Sequence, residues 1–507
     1  MSLATITVER SGPGWLPGPG PQGAVDRETL WYDYAVGVDD PAPAPWVLHG
    51  SVGDPAQPEP ISAADLLADA GDILPWPRSA WLNASLVNFP LRGPSSIGGD
   101  MIGLACHALS VVRRDPQDPY NDHRAYASPR CAFPVMGAVV NRSEWHALDP
   151  ERRQVVRSGV ASDPQHAGGA ISLSGRYDRI PSAYGWFRGS LVGIESGIVL
   201  RHLAALSRLH HLPLDVALPQ VGWTDSAPAH LWRDNAGWSP PIVLTPRDTA
   251  RQPARTRRPR RGRTDHCADA EADLLRVYRS HDFTHSVGAL GDGIPAEAED
   301  DAADSWAEVL WRRSAGRMPR GLYGFRVANA GMEASDAVAI TGWGTVQPPV
   351  PVAAAAMPLR LYAVVRDVGG LSPGIYDVVD GHFSRRATAP GDALDRFAAS
   401  YLYGSDQFSR NDMERAPLVL VVTSRPRDAV VDAGPSAWTA LQLATGWVAH
   451  GLCLGAAARR LMARPVRALD EYDVAVALDL DDDEMVGLAV VVSQHSPHGG
   501  LQIDLRS

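Results

Sequence analysis

SLVGIESGIVLRHLAALSRLHHL, Ser190 to Leu212, decides how this chain is read, because TALQLATGWVAHGLCLGAAARRLMARPV, Thr439 to Val466, repeats its pattern. Leu, Ile and Val recur at helical spacing in both, which predicts a long amphipathic helix in each half of the chain. Each run carries a glycine at its eighth position, Gly197 and Gly446. An interior glycine costs a helix about 1 kcal/mol against alanine, so its recurrence points to close approach by another group. That group is either a ligand or the backbone of a second helix, and the sequence leaves both open.

The segments ahead of the helices are paired too. RAYASPRCAFPVMGAVV, Arg124 to Val140, reads as a turn-prone loop, a proline and a strand, and PVPVAAAAMPLRLYAVV, Pro349 to Val365, reads as an alanine-smoothed version of it. The second half continues with LSPGIYDVVDGHF, a turn and a strand, and APLVLVVTS, Ala416 to Ser424, a continuous apolar strand. VAVALDLDDDEMVGLAVVV, Val474 to Val492, adds an acidic turn and a final strand. Strands of this kind between helices predict an α+β layered fold, and the pairing predicts a duplicated domain. TPRDTARQPARTRRPRRGRTDH, Thr245 to His266, separates the two copies. Its Arg and Pro content without apolar periodicity reads as a solvated linker, or as a basic segment that attracts an acidic peptide.

A chain of 507 residues exceeds one ordinary core, and 45% apolar with 21% charged residues fits a folded protein. The formal charge of −11 argues against general nucleic-acid binding. All 47 basic residues are arginine, which removes Schiff-base, phosphate-loop and general-base lysines. Cys106, Cys131, Cys267 and Cys453 are scattered without a CxxC pair, so neither a zinc site nor a disulfide framework is expected. The N-terminus lacks a basic start followed by an apolar run, and no segment was expected to serve as a membrane span, so a cytoplasmic protein without a membrane partner is expected.

WRRSAGRM, Trp311 to Met318, gathers Arg312, Arg313 and Arg317 around Ser314. Guanidiniums give bidentate, charge-assisted bonds to phosphate oxygens and the serine adds a hydroxyl, so the group suits a phosphomonoester. It reads equally as a surface arginine run.

In the order of these motifs the chain resembles the nitroreductase-like flavoproteins, and within them the SagB-type azoline dehydrogenases of ribosomal peptide pathways. WRRSAGRM resembles that family's Arg-x-Ser-x-Arg element for the FMN phosphate. RAYASPRCAFP resembles its flavin loop, R-x-Y-P-S-G-G-A-L-x-P, at Arg124, Tyr126, Ser128 and Pro134, but lacks the glycines. AYGWFRGSLVGIESG, Ala183 to Gly197, keeps the Tyr-Gly and E-x-G of the helix motif with Ala183 in place of lysine. In the second half the loop has become AAAAM, and both Lys and Tyr of the helix motif are gone.

The resemblance implies tandem nitroreductase-like domains forming a pseudo-dimer: an N-terminal extension (1–80), a first domain (81–244), the linker (245–266) and a second domain (267–507). It implies one FMN between the halves, held by Arg312, Arg313, Ser314 and Arg317 of the second and by Ser128, Pro129 and Arg130 of the first, with Thr445 and Gly446 beside the ring. Tyr184 is the surviving candidate for proton transfer. His450, four residues beyond Gly446 on the same helix face, is the histidine singled out for a catalytic part. The implied reaction is oxidation of a thiazoline or oxazoline to an azole in a precursor peptide, with a cyclodehydratase complex as a further partner. Two alternatives stay open: a flavin-free pseudoenzyme that binds peptide or scaffolds a biosynthetic complex, and an FMN reductase using NAD(P)H.

Overall fold

The computed structural model describes residues 61–76, 101–114, 122–247, 283–295, 306–316, 323–401, 409–494 and 503–505, apart from short gaps within these ranges. Most of the N-terminal extension, the start of the first predicted domain and all of the linker beyond residue 247 therefore lie outside the described residues.

The first half is built on an eight-stranded antiparallel sheet. Its strands in chain order are β1 (Ala70–Pro75), β4 (Val135–Asn141), β5 (Glu144–Asp149), β6 (Gln154–Ala161), β7 (Ile171–Gly175), β8 (Leu214–Ala217), β9 (Ile242–Pro246) and β10 (Val287–Ala289). They lie in the order β1-β6-β5-β4-β7-β9-β8-β10. Two further strands, β2 (Val111–Arg114) and β3 (Asp122–Arg124), form a separate ribbon beside it. Helix α1 (Met101–Leu109) precedes β2, and α2 (Phe187–Leu209) is the predicted long helix.

The second half begins with α3 (Trp306–Arg312), β11 (Tyr323–Phe325) and α4 (Ala334–Gly344). Its six-stranded sheet holds β12 (Arg360–Val365), β13 (Gly374–Val379), β14 (His382–Arg385), β16 (Leu418–Ser424), β17 (Leu461–Val466) and β18 (Met485–Gln494), in the order β14-β13-β12-β16-β18-β17. The apolar run at β16 is buried on both faces, which is why it reads as continuous rather than alternating. A short strand, β15 (Ser409–Asn411), pairs in parallel with β11. The second long helix is α5 (Ser436–Ala458).

The halves interlock. Strand β10, which follows the linker, adds to β8 of the first sheet, and β19 (Ile503–Asp504), near the end of the chain, pairs with β2. The tandem α+β pseudo-dimer is thus the architecture, with strands of the second segment built into the first half.

Helices α2 and α5 cross at the two predicted glycines. A Cβ on Gly446 would collide with the carbonyl oxygen of Ile194 and lie 2.9 Å from the Ile198 nitrogen. A Cβ on Gly197 would collide with the carbonyl oxygen of Leu443. The alternative left open by the sequence is settled here: each glycine admits the other helix's backbone. Neither helix is amphipathic in the predicted sense, because α2 packs into the first core and α5 contributes to both, leaving Arg208 the only residue of α2 that is not buried. Helix α2 is long and apolar enough to cross a membrane, which corrects the expectation that no segment is; its apolar stretch is buried within the protein. The second helix was also expected to run to Val466. It stops at Ala458, because Arg460 adopts a left-handed φ of 59° and Pro465 cannot continue a helix, and the remainder forms β17.

Candidate active site

The loop from Arg124 to Pro134 joins β3 to β4 and carries most of the polar groups. Its 3-10 turn spans Pro129–Cys131, and Arg130, Cys131 and Phe133 take left-handed φ values of 49°, 51° and 47°. Side chains with a Cβ adopt this region at a cost of about 1 kcal/mol or more each. The loop therefore keeps a glycine-like conformation at positions where the sequence supplies no glycine, and its surroundings hold it there. Ser128 is one such support: its hydroxyl accepts from the Phe133 N–H at 2.8 Å and donates to Glu195 Oε2 at 2.5 Å.

Glu195 stands on α2 with 0% exposure, and its other oxygen accepts from the Val135 N–H at 3.4 Å. Burial pushes its carboxyl up to about 7, against the lowering pull of the Ser128 bond and the nearby Arg124 charge. A carboxyl so poised exchanges a proton near neutral pH. Glu195 was legible only as part of the E-x-G pattern and was not expected to be a site residue.

The second half reaches this loop through Arg313. Its guanidinium is 5% exposed and donates through Nη2 to the carbonyl oxygen of Arg124 at 3.1 Å. The other described members of the predicted phosphate cluster have partners within the second half. Arg312 lies 4.0 Å from Glu308, one turn back on α3, and Ser314 accepts from the Gly316 N–H at 3.3 Å through its hydroxyl and from the Ala463 N–H at 3.0 Å through its carbonyl. Arg317 lies outside the described residues. The donor chemistry of Arg313 and Ser314 fits an anionic phosphate, and Arg313 sits where the two halves meet.

Other predicted residues are dispersed. Arg130 extends over the ring of Tyr184 at 5.9 Å, and Tyr184 packs beside Phe187 and Leu191. Thr445 and Gly446 are buried on α5, so the expected position beside a flavin ring is filled at Gly446 by the Ile194 backbone. His450 is 1% exposed and its Nε2 lies 3.3 Å from Nδ1 of His202. Burial, together with His202 and Arg313, holds His450 well below the usual imidazole range, and burial brings His202 down to about 3. This pair is a neutral buried contact between the crossed helices, with the His202 ring 5.7 Å from that of Tyr126.

Among curated proteins none matches the chain. Residues 335–492 match the Nitroreductase family. A nitroreductase structure from Anabaena variabilis aligns over 87% of this chain and 94% of its own, with 14% identity and a TM-score of 0.60. At that identity the likeness bears on fold alone. The E. coli microcin synthetase McbBCD complex with truncated pro-MccB17 aligns over 36% of this chain and 71% of its own, with 14% identity and a TM-score of 0.29. A nitroreductase structure from Ralstonia eutropha covers 38% and 83%, with 17% identity and a TM-score of 0.24; likenesses this low say nothing about chemistry. A segment of the second half thus matches the Nitroreductase family, and the whole chain has a nitroreductase-like fold.

Proposed function

We propose that the chain is an FMN-dependent oxidoreductase that converts thiazoline or oxazoline rings of a ribosomally made precursor peptide to azoles, at one site where the halves meet. The observation that carries this reading is the Arg313 guanidinium of the second half seated on the Arg124 carbonyl, at the start of the loop that holds Ser128 against Glu195. Arg313 and Ser314 would hold the phosphate, and Ser128, Pro129 and Arg130 would line the flavin. When bound, FMN supplies the two-electron acceptor. Ser128 then receives the ring proton as it passes its own to Glu195, whose burial readies it for that step at neutral pH. Gly446 acts by fixing the helix crossing that carries Glu195, and Thr445 lies against Gly487 of β18. The substrate peptide would come from a cyclodehydratase partner.

The enclosure of Gly446 favours a second reading, a flavin-free protein that binds peptide. The visible absorption of the purified protein separates the two. One FMN released per chain on denaturation, and a two-hydrogen mass loss from an azoline peptide, support the enzyme. A colourless protein that takes up no added FMN overturns it, and flavin reduction by NAD(P)H without any peptide shifts the reading to a reductase.

A further inference from the structure

A small cleft of about 20 Å³ opens beside the loop, on the side-chain side of Arg124, whose carbonyl meets Arg313 at the junction. Its lining includes Arg124, Arg176, Arg179, Phe133, Leu109 and Met136, with Asp149 and Glu151 on the same wall. Arg124 is 4% exposed and donates through Nη1 to the Tyr126 hydroxyl at 2.8 Å, while its Nε has no hydrogen-bond partner. Its guanidinium carbon lies 4.4 Å from the Phe133 ring centroid, which fixes the cation by stacking. Arg176 adds a second buried N–H without a partner, at Nη1.

The charges on this wall decide what the cleft takes. Arg176 pairs with Asp178 at 2.5 Å, Arg179 with Glu151 at 2.8 Å, and Asp149 with Arg152 at 3.5 Å. Arg124 has no carboxylate within ion-pair distance among the described residues. Arg124 therefore has Glu151 and Glu195 as counter-charges only at longer range, and it sits without a carboxylate in contact beside apolar walls and two unused donors. A buried cation without a counter-ion in contact is costly, so a site of this kind selects an anion that brings one negative charge. A phosphate dianion would meet Asp149 and Glu151 with a second charge that nothing here neutralises.

We propose that the cleft between Arg124 and Arg176 binds a single carboxylate carried on an apolar body, the chemistry of an acidic side chain or the C-terminus of a peptide. The carboxylate accepts from Arg124 Nε and Arg176 Nη1, and its apolar body lies against Leu109, Phe133 and Met136. The inference does not depend on flavin.

Titration of 3-phenylpropanoate and of its amide into the full-length protein, followed by calorimetry, tests it. The acid is expected to bind at least about tenfold more tightly than the amide, the loss of one charge-assisted contact. Arg124→Met should abolish that preference, and Arg176→Gln, at a more exposed position, should weaken the acid while leaving the amide unchanged. Equal binding of acid and amide, or binding of neither, overturns the proposal. If Arg124→Met fails to fold, the acid-to-amide ratio of the wild-type protein and of Arg176→Gln decides. A final arm adds FMN. Unchanged acid binding supports a separate site, and competitive displacement of the acid by FMN overturns it by making the cleft the flavin's own.

Discussion

Two buried guanidiniums of the first half, one on helix α2 and one on the loop before β4, have opposite surroundings. Arg201, on α2, donates to the carbonyl oxygens of Gly293 at 2.5 Å, Trp343 at 2.8 Å and Val346 at 3.4 Å, and stacks on the Trp447 ring at 5.0 Å. Arg124 has one hydroxyl acceptor and an aromatic face, with a donor left over. The same contrast runs through the two copies of the motif. Glu195 and Ser128 face each other in the first half, whereas the second half places Ala444 two residues before its crossing glycine and an Ala-rich turn after Val350–Ala353 in place of the loop. Duplicated backbones share one packing solution, since a close helix crossing demands glycine on both sides. Buried polar groups carry a desolvation cost, so they persist where a ligand or a reaction uses them and elsewhere are replaced by alanine or tied off by carbonyls.

The largest effect should come from breaking what the halves share. Gly446→Val would drive a side chain into the Ile194 carbonyl, and it is expected to cost about 4 kcal/mol or more, or to prevent folding. Urea unfolding measures it; a loss below about 1 kcal/mol would mean that the crossing is loose.

The next pair of changes exchanges what the halves do not share. Ala444→Glu should lose about 3 kcal/mol, because it buries a carboxyl without a Ser128 counterpart. Glu195→Gln should be no less stable than wild type at pH 8, since it removes a carboxyl whose ionisation burial opposes. Its azole formation should nonetheless fall by about 100-fold or more. An unchanged rate would remove Glu195 from the reaction while leaving the fold as described.

A smaller effect follows from pH. The Glu195 carboxyl is raised from 4.5 to about 7, so the stability held by its protonated form is fully present below 4.5 and is lost as pH rises through 7. His202 and His210 are lowered from 6.5 to about 3 and about 4 by burial, so the stability held by their neutral rings is fully present above 6.5 and is lost as pH falls toward those values. His107 and His450 shift the same way. Between 4.5 and 6.5 the imidazoles outnumber the one opposing carboxyl, so stability should climb with pH, by up to about 1.4 kcal/mol per pH unit for each uncancelled ring. Urea midpoints across that window check the sign, and a falling or flat profile would contradict the burial of these histidines. The smallest effect belongs to Arg312→Ala, which removes a partly exposed pair with Glu308 and should stay within about 0.5 kcal/mol while retaining flavin.

The sequence by itself determined the duplicated architecture. The glycine at the same place in two helical runs, the strand-bearing segments ahead of them and the apolar run at Leu418–Ser424 are local patterns of period and composition, and such patterns follow from the neighbours along the chain. It also offered Ser128 and Arg313, because hydroxyls and guanidiniums announce their chemistry wherever they stand. Only the tertiary structure decided which of them meet. Arg313 and Arg124 are separated by 189 positions and bond across the halves, while Arg312, adjacent in sequence, turns back along α3. Glu195 looked like one letter of a helix motif until its burial against Ser128 shifted its proton affinity. His450 looked available because helical spacing says which residues share a face, and says nothing of what covers that face. That Arg124 has no carboxylate in contact is likewise invisible in a chain of 47 arginines, since whether a cation is paired depends on which carboxylates folding brings within a few ångströms of it.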